Sequence, residues 1–119
     1  MVDPKLIPFV ASRFKALGDP GRLAILAVLH GGERSVSEIV AATGRAQPNV
    51  SQHVAGLARA GFVARRREGN RVFYRVIDPC VSEICDAVCK GLVARTREER
   101  GWAKAAGRGG RKNVEKSRA

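Results

Sequence analysis

The sequence predicts a mainly α-helical, dimeric domain with one β-hairpin, in the order α-α-α-α-β-β-α. Three observations carry this. Apolar residues recur at helical spacing in five segments. Over residues 62–77 the pattern changes to short β-rich runs around a Gly69-Asn70 turn. Capping residues, prolines and glycines stand where the helices should begin and end. A short helix, a tight turn and a second helix make a helix-turn-helix, and a hairpin directly after it makes the winged form.

The elements follow in order. Leu6, Phe9, Val10, Phe14 and Leu17 mark a helix over residues 5–17. Asp19 is placed to cap a second helix, with Pro20 in its first turn and Leu23, Leu26 and Leu29 along it; His30-Gly31-Gly32 ends it. Ser35 and Glu38 have capping-box spacing and open a short helix through Ile39 and Val40, closed by Gly44. The next helix spans residues 47–60, with Pro48 in its first turn and Val50, Val54 and Leu57 on one face. Strands are expected over 62–67 and 71–77. Asp78-Pro79 opens a last helix, as N-cap and first-turn proline, that runs to about Arg95. The folded domain is therefore residues 1–95. Residues 96–119 carry eight Lys and Arg against three Glu, with Gly107, Gly109 and Gly110, and read as a basic disordered tail.

A chain of 119 residues is one domain by size, and one small enough for dimerisation to add useful stability. It holds 22 Lys and Arg against 11 Asp and Glu, a net charge of +11, which points to a polyanion partner, first of all double-stranded DNA. No apolar run is long enough to span a membrane. The N-terminus lacks the basic region and apolar core of a secretory signal, so an intracellular, cytoplasmic location is expected. No phosphate loop, nucleophile–base arrangement or paired carboxylates suggest an enzyme.

The fourth helix carries the DNA-reading candidates. Gln47, Asn49, Ser51, Gln52 and His53 lie mostly off its apolar face and near its N-terminus, where recognition helices meet base edges. Gln and Asn can bond adenine in bidentate fashion; Ser and His can reach phosphate or a base. In the hairpin, strand alternation sends neighbouring arginines to opposite faces. Arg67 and Arg71 flank the turn and are the candidates for phosphate or minor-groove contact.

The runs FKALGDPGRLAILAVL, SVSEIVAATGRAQPNVSQHVAGLARAGFV and RRREGNRVFYRVIDP together resemble the ArsR/SmtB family of small winged-helix repressors, over about residues 9–93. The resemblance implies a homodimer, formed through the first and last helices, that binds an operator and releases it when an effector binds. Two departures stand out. Arg34-Ser35-Val36-Ser37 occupies the place where the family's arsenic sensors often carry a CxC-type motif. Of the family's zinc ligands on the last helix, Asp78 matches the first, Cys80 takes the next, and Gly91 and Ala94, which cannot ligate, stand at the later positions.

The chain's only cysteines, Cys80, Cys85 and Cys89, fall within ten residues on the last helix. In a reducing compartment such a cluster reads as metal ligands or redox thiols before disulfides. At about 100° per residue, Val81, Ile84, Val88 and Leu92 form an apolar seam for a partner helix, with Cys85 on its edge and Cys89 one turn along. Cβ atoms at that spacing lie about 5–6 Å apart. That is wider than the roughly 3.5–4.5 Å of a disulfide, but a thiophilic ion with metal–sulfur bonds near 2.3 Å can bridge it. Cys80 falls about 180° from Cys89, so a three-thiolate site needs a distorted first turn or a thiol from the second chain. Soft thiolates without a nearby histidine favour soft ions. No cofactor is required, and the expected inducer is As(III) or Sb(III), with other soft metal ions possible. Two alternatives stay open: a repressor of the same fold sensing oxidants or reactive sulfur through these thiols, and an effector-free architectural DNA-binding protein.

Overall fold

The computed structural model of the chain describes residues 1–105, which form two compact units, Met1–Pro79 and Cys80 onward.

In the first unit a short 3-10 turn, Pro4–Leu6, leads into α1 (Ile7–Leu17) and α2 (Pro20–Leu29). Strand β1 (Arg34–Ser35), α3 (Val36–Thr43), α4 (Gln47–Arg59), β2 (Val63–Glu68) and β3 (Arg71–Val76) follow. The local signals act as the sequence suggests. The Asp19 carboxylate accepts from the Arg22 N–H at 3.0 Å and caps α2. Ser35 and Glu38 form a full capping box: the Ser35 hydroxyl accepts from the Glu38 N–H and Glu38 accepts from the Ser35 N–H. Gly44 closes α3 in the left-handed conformation, at φ 70°, where a side chain would be strained.

Strand β1 is the element that the sequence reading lacked. Its two residues pair with Tyr74 and Phe73, completing an antiparallel sheet in the order β1-β3-β2. The reason is local. An N-cap residue must be extended, and Ser35 is, at φ −74° and ψ 161°; one further extended residue gives β3 a second neighbour. The hairpin turn is tight, and only Gly69 takes a positive φ there, so Asn70 serves in an ordinary conformation.

The core of this unit lies where α2, α3 and α4 meet the base of the sheet. Ile25, Ile39, Val50, Val54, Leu57 and Phe62 are fully buried. Each large side chain so buried contributes about 1.5–3 kcal/mol relative to exposure. Arg13 of α1 spans to the far end of the unit: it ion-pairs with Asp78, donates to the Ala60 carbonyl oxygen and lies over the Phe62 ring. Two large apolar side chains of α1 stay exposed. Phe9 is 69% and Phe14 55% exposed.

The second unit is α5 (Val81–Ala105). It starts later than the Asp78-Pro79 signal suggested: the Ile84 N–H bonds the Cys80 carbonyl oxygen, so Cys80 holds the position just before the first helical residue. The helix also runs past Arg95 into the stretch expected to be a tail. Residues 96–100 contain no helix breaker. Arg95 pairs with Glu99 at 3.0 Å one turn on, and the Thr96 hydroxyl bonds the Leu92 carbonyl oxygen. The remainder of that expected tail, residues 106–119, lies outside the described residues. Within α5, Val88 is 57% and Leu92 48% exposed.

Candidate nucleic-acid interface and thiol segment

Helix α4 buries Val50, Val54, Gly56 and Leu57 and turns a polar face outward. Gln47, Ser51 and Gln52 are exposed on that face. No side chain caps the N-terminus of α4, so its first backbone N–H groups point outward at the positive end of the helix dipole.

Asn49 and His53 behave differently from these three. Asn49 is half-buried, and its Oδ1 accepts from Arg45 Nη1 at 3.2 Å. His53 is turned inward, its side chain only 16% exposed, with Nε2 3.5 Å from Asp19 Oδ2. Gly21 makes this possible: a Cβ there would stand 2.7 Å from His53 Nε2 and 2.8 Å from Arg45 Nη1. Asn49 and His53 lie one turn apart on one edge of α4, and Arg45, just before the helix, reaches the same edge against the start of α2. His53 therefore joins the recognition helix to the α2 cap, and the outward face is left to Gln47, Ser51 and Gln52. Asp19 receives the Arg22 backbone N–H, and that bond, with the nearby His53, holds its carboxyl below the ordinary value of 3.8.

In the wing, Arg67 is opposite Val72 and Arg71 is opposite Glu68. Alternation then puts Arg65 and Arg67 on one face and Arg66 with Arg71 on the other. The two faces differ electrostatically. Arg66 pairs with Glu33 and with Glu68, each at 2.7 Å, and Arg71 Nη2 stands 4.0 Å from Glu38. Arg67 Nε bonds the Gly69 carbonyl oxygen at 3.2 Å; among the described residues neither Arg65 nor Arg67 has an acidic partner within ion-pair distance. The two wing candidates thus lie on opposite faces, with Arg67 on the acid-free one.

Sequence reasoning passed over Arg45 and Glu33. Arg45 was detectable from its spacing, four residues before Asn49. Glu33 was not, because its partner lies 33 residues away.

On α5, Cys85 and Cys89 lie one turn apart; Cys80 precedes the helix. Cys80 and Cys89 are exposed and Cys85 is half-buried. Burial pushes the Cys85 thiol up, and the neighbouring Cys89 and Asp86 add to this. Among the described residues, no group of three or more His, Cys, Asp or Glu is arranged to hold a metal ion. Cys85 and Cys89 thus place two thiols one turn apart on α5. Among the same residues no helix is long and apolar enough to cross a membrane.

Residues 19–65 match the family described as "Bacterial regulatory protein, arsR family". The HTH-type transcriptional regulator Rv0081 of Mycobacterium tuberculosis is 37% identical over 101 residues, 84% of this chain and 88% of that protein. Its crystal structure superposes with a TM-score of 0.67, covering 83% and 98% of the two chains. The probable mercury resistance operon repressor of Streptomyces lividans is 42% identical over 71 residues, 60% of this chain but only 57% of that protein. The arsenic resistance transcriptional regulator ArsR1 of Pseudomonas putida is 38% identical over 86 residues, 71% of this chain and 66% of that protein.

Proposed function

The chain belongs to the arsR family of bacterial regulatory proteins, and from that premise we propose that it is a dimeric transcriptional repressor, released from operator DNA by a soft thiophilic ion bound at Cys85 and Cys89. The observation that carries the DNA half is the two-sided character of α4. Its inner face is fully buried, while Gln47, Ser51 and Gln52 stand exposed beside an uncapped N-terminus. Gln47 and Gln52 read base edges, Ser51 meets phosphate, and Arg67 adds wing charge. Asn49 presents its amide in an orientation held by Arg45.

The effector half rests on donor chemistry. Two thiols one helical turn apart, on a segment that holds every cysteine of the chain, suit As(III) or Sb(III) first and other soft ions next. Relatives named for mercury and arsenic resistance support a thiophilic inducer. The third thiolate comes from Cys80 or from the second protomer. The bound ion favours a dimer geometry whose recognition helices no longer match half-sites one DNA turn apart, and the operator is released by that differential affinity.

The test is fluorescence anisotropy on a duplex selected from a randomised library, titrated separately with As(III), Sb(III), Hg(II), Cd(II), Zn(II) and peroxide. Release by a soft ion that is lost in Cys85→Ser and Cys89→Ser is the expected result. Release by those variants at wild-type concentrations refutes the thiol site. Release by peroxide alone, dependent on the exposed Cys80, establishes the oxidant-sensing alternative instead.

A further inference from the structure

The wing contains a cross-sheet tie. The sheet order is β1-β3-β2, so β2 and β1 are not neighbours. Arg66 sits on β2, directly opposite Phe73 of the middle strand. Its guanidinium lies over the Phe73 ring, 4.5 Å from the centroid, and continues across β3 to Glu33, the residue before β1. There Nη2 donates to Glu33 Oε1 at 2.7 Å and Nε stands 3.2 Å from both carboxylate oxygens. The remaining Nη1 donates to Glu68 Oε2 at 2.7 Å. Hydrogen bonding to Arg66 holds the Glu33 carboxyl below its ordinary range.

β1 pairs only with Phe73 and Tyr74. The outer part of β3, Arg71 and Val72, therefore has a strand neighbour on one side only. By the same register Glu33 falls beyond the Arg34–Tyr74 end of β1, so the tie runs diagonally across the paired part of the sheet. A bidentate, aromatic-stacked arginine is stiff and directional, unlike a loose surface pair.

We propose that Arg66 is a positioning residue of the wing: with Glu33 it sets the angle at which the hairpin leaves the sheet, and it does not contact DNA. Arg65 and Arg67, on the other face, supply the wing's charge to phosphate. This deepens the reading of the chain as a DNA-binding regulator and rests on it. The assignment inverts the simple electrostatic expectation for Glu33. Removing an acidic charge from a DNA-binding protein ordinarily tightens binding; here it loosens the wing.

The experiment uses the full chain and a duplex selected by the wild type from a randomised library. Affinity is measured by anisotropy from about 50 to 300 mM KCl. Arg67→Ala should flatten the logarithmic salt slope by about 0.9, the loss of one phosphate contact. Arg66→Gln and Glu33→Gln should each weaken binding about threefold with the slope unchanged, because what is lost is orientation. Arg66→Glu should weaken it further, and the charge swap Arg66→Glu with Glu33→Arg should recover most of the loss. Circular dichroism melts identify any variant that fails to fold, and Glu33→Gln, which keeps side-chain size, carries the test in that event. Tighter binding by Glu33→Gln, a flatter slope in Arg66→Gln, or no recovery in the swap overturns the assignment. A wild type with no salt-dependent affinity for any duplex overturns the DNA-binding reading itself, a result distinct from all of these.

Discussion

In the proposed effector site Cys85 is the thiol whose environment works against ionisation. Burial raises its pKa first, then Cys89 and Asp86. A thiophilic ion bonds thiolate, so binding must displace this proton. Apparent affinity for a divalent soft ion such as Cd(II), which releases the thiol proton to solvent, should therefore rise with pH, with the ionisation of Cys85 as its midpoint. Asp86→Asn removes one of the charges that oppose ionisation and should move that midpoint to lower pH. Titrating operator release with Cd(II) from about pH 6 upward checks both; a flat profile would mean that Cys85 is not a ligand. Cys80 stands apart from this pair. It lies just before the first residue of α5, so it meets the helix dipole rather than the apolar seam. Its serine variant should weaken the response without changing the midpoint.

At the scale of elements, the helix-turn-helix is held by caps as well as by core. Ser35 is 2% exposed and serves at once as β1 residue and α3 cap. Ser35→Ala should cost about 1 kcal/mol. For a domain of this size that is a fall in melting temperature of about 4–8 °C, measurable by calorimetry. Three carboxylates of the first unit have pKa values held below their ordinary 3.8 or 4.5: Asp19 mainly by the Arg22 backbone N–H, Glu33 by Arg66, and Glu38 by the Ser35 backbone N–H. A lowered folded-state pKa contributes stability that is present above the unfolded value and lost as pH falls through the folded one. Melting temperature should thus hold steady down to about pH 5 and drop below about pH 4. Glu33→Gln and Glu38→Gln should each make that acid decline shallower. An equally steep decline in both variants would place the acid sensitivity elsewhere.

At the scale of the whole molecule, the exposed apolar side chains define what the single chain leaves unfinished. Phe9 and Phe14 on α1, and Val88 and Leu92 on α5, are about half or more exposed. Large apolar groups grouped on helix faces mark an interface, and α1 and α5 are the helices that the family resemblance assigns to dimerisation. Val88→Asp with Leu92→Glu should give a monomer by sedimentation equilibrium at micromolar concentration, with far-UV dichroism retained. It should also lose most of its affinity for a two-half-site duplex, since two recognition helices must bind together. A variant that remains dimeric would assign the interface to α1 alone.

How much of this was legible in the sequence divides along a physical line. The Asp19 cap, the Ser35–Glu38 capping box and the Gly44 stop are each written within four residues, and short-range signals of that kind need no tertiary structure to act. The buried face of α4 was equally plain, because Val50, Val54 and Leu57 repeat at the helical period. Where α5 starts and how far it continues depended on competition among weak local preferences, and the sequence reading placed both ends too early. The site itself was legible only in part. Sequence identified a recognition helix and an arginine-rich wing. Only the fold turned His53 inward beneath Gly21, gave Arg45 to Asn49, and paired Arg66 with Glu33. Such pairings depend on which distant segments the packed core brings together. A +11 chain announces a polyanion partner by composition alone, but which of its arginines remain to meet that partner is decided by where the few acids lie in three dimensions.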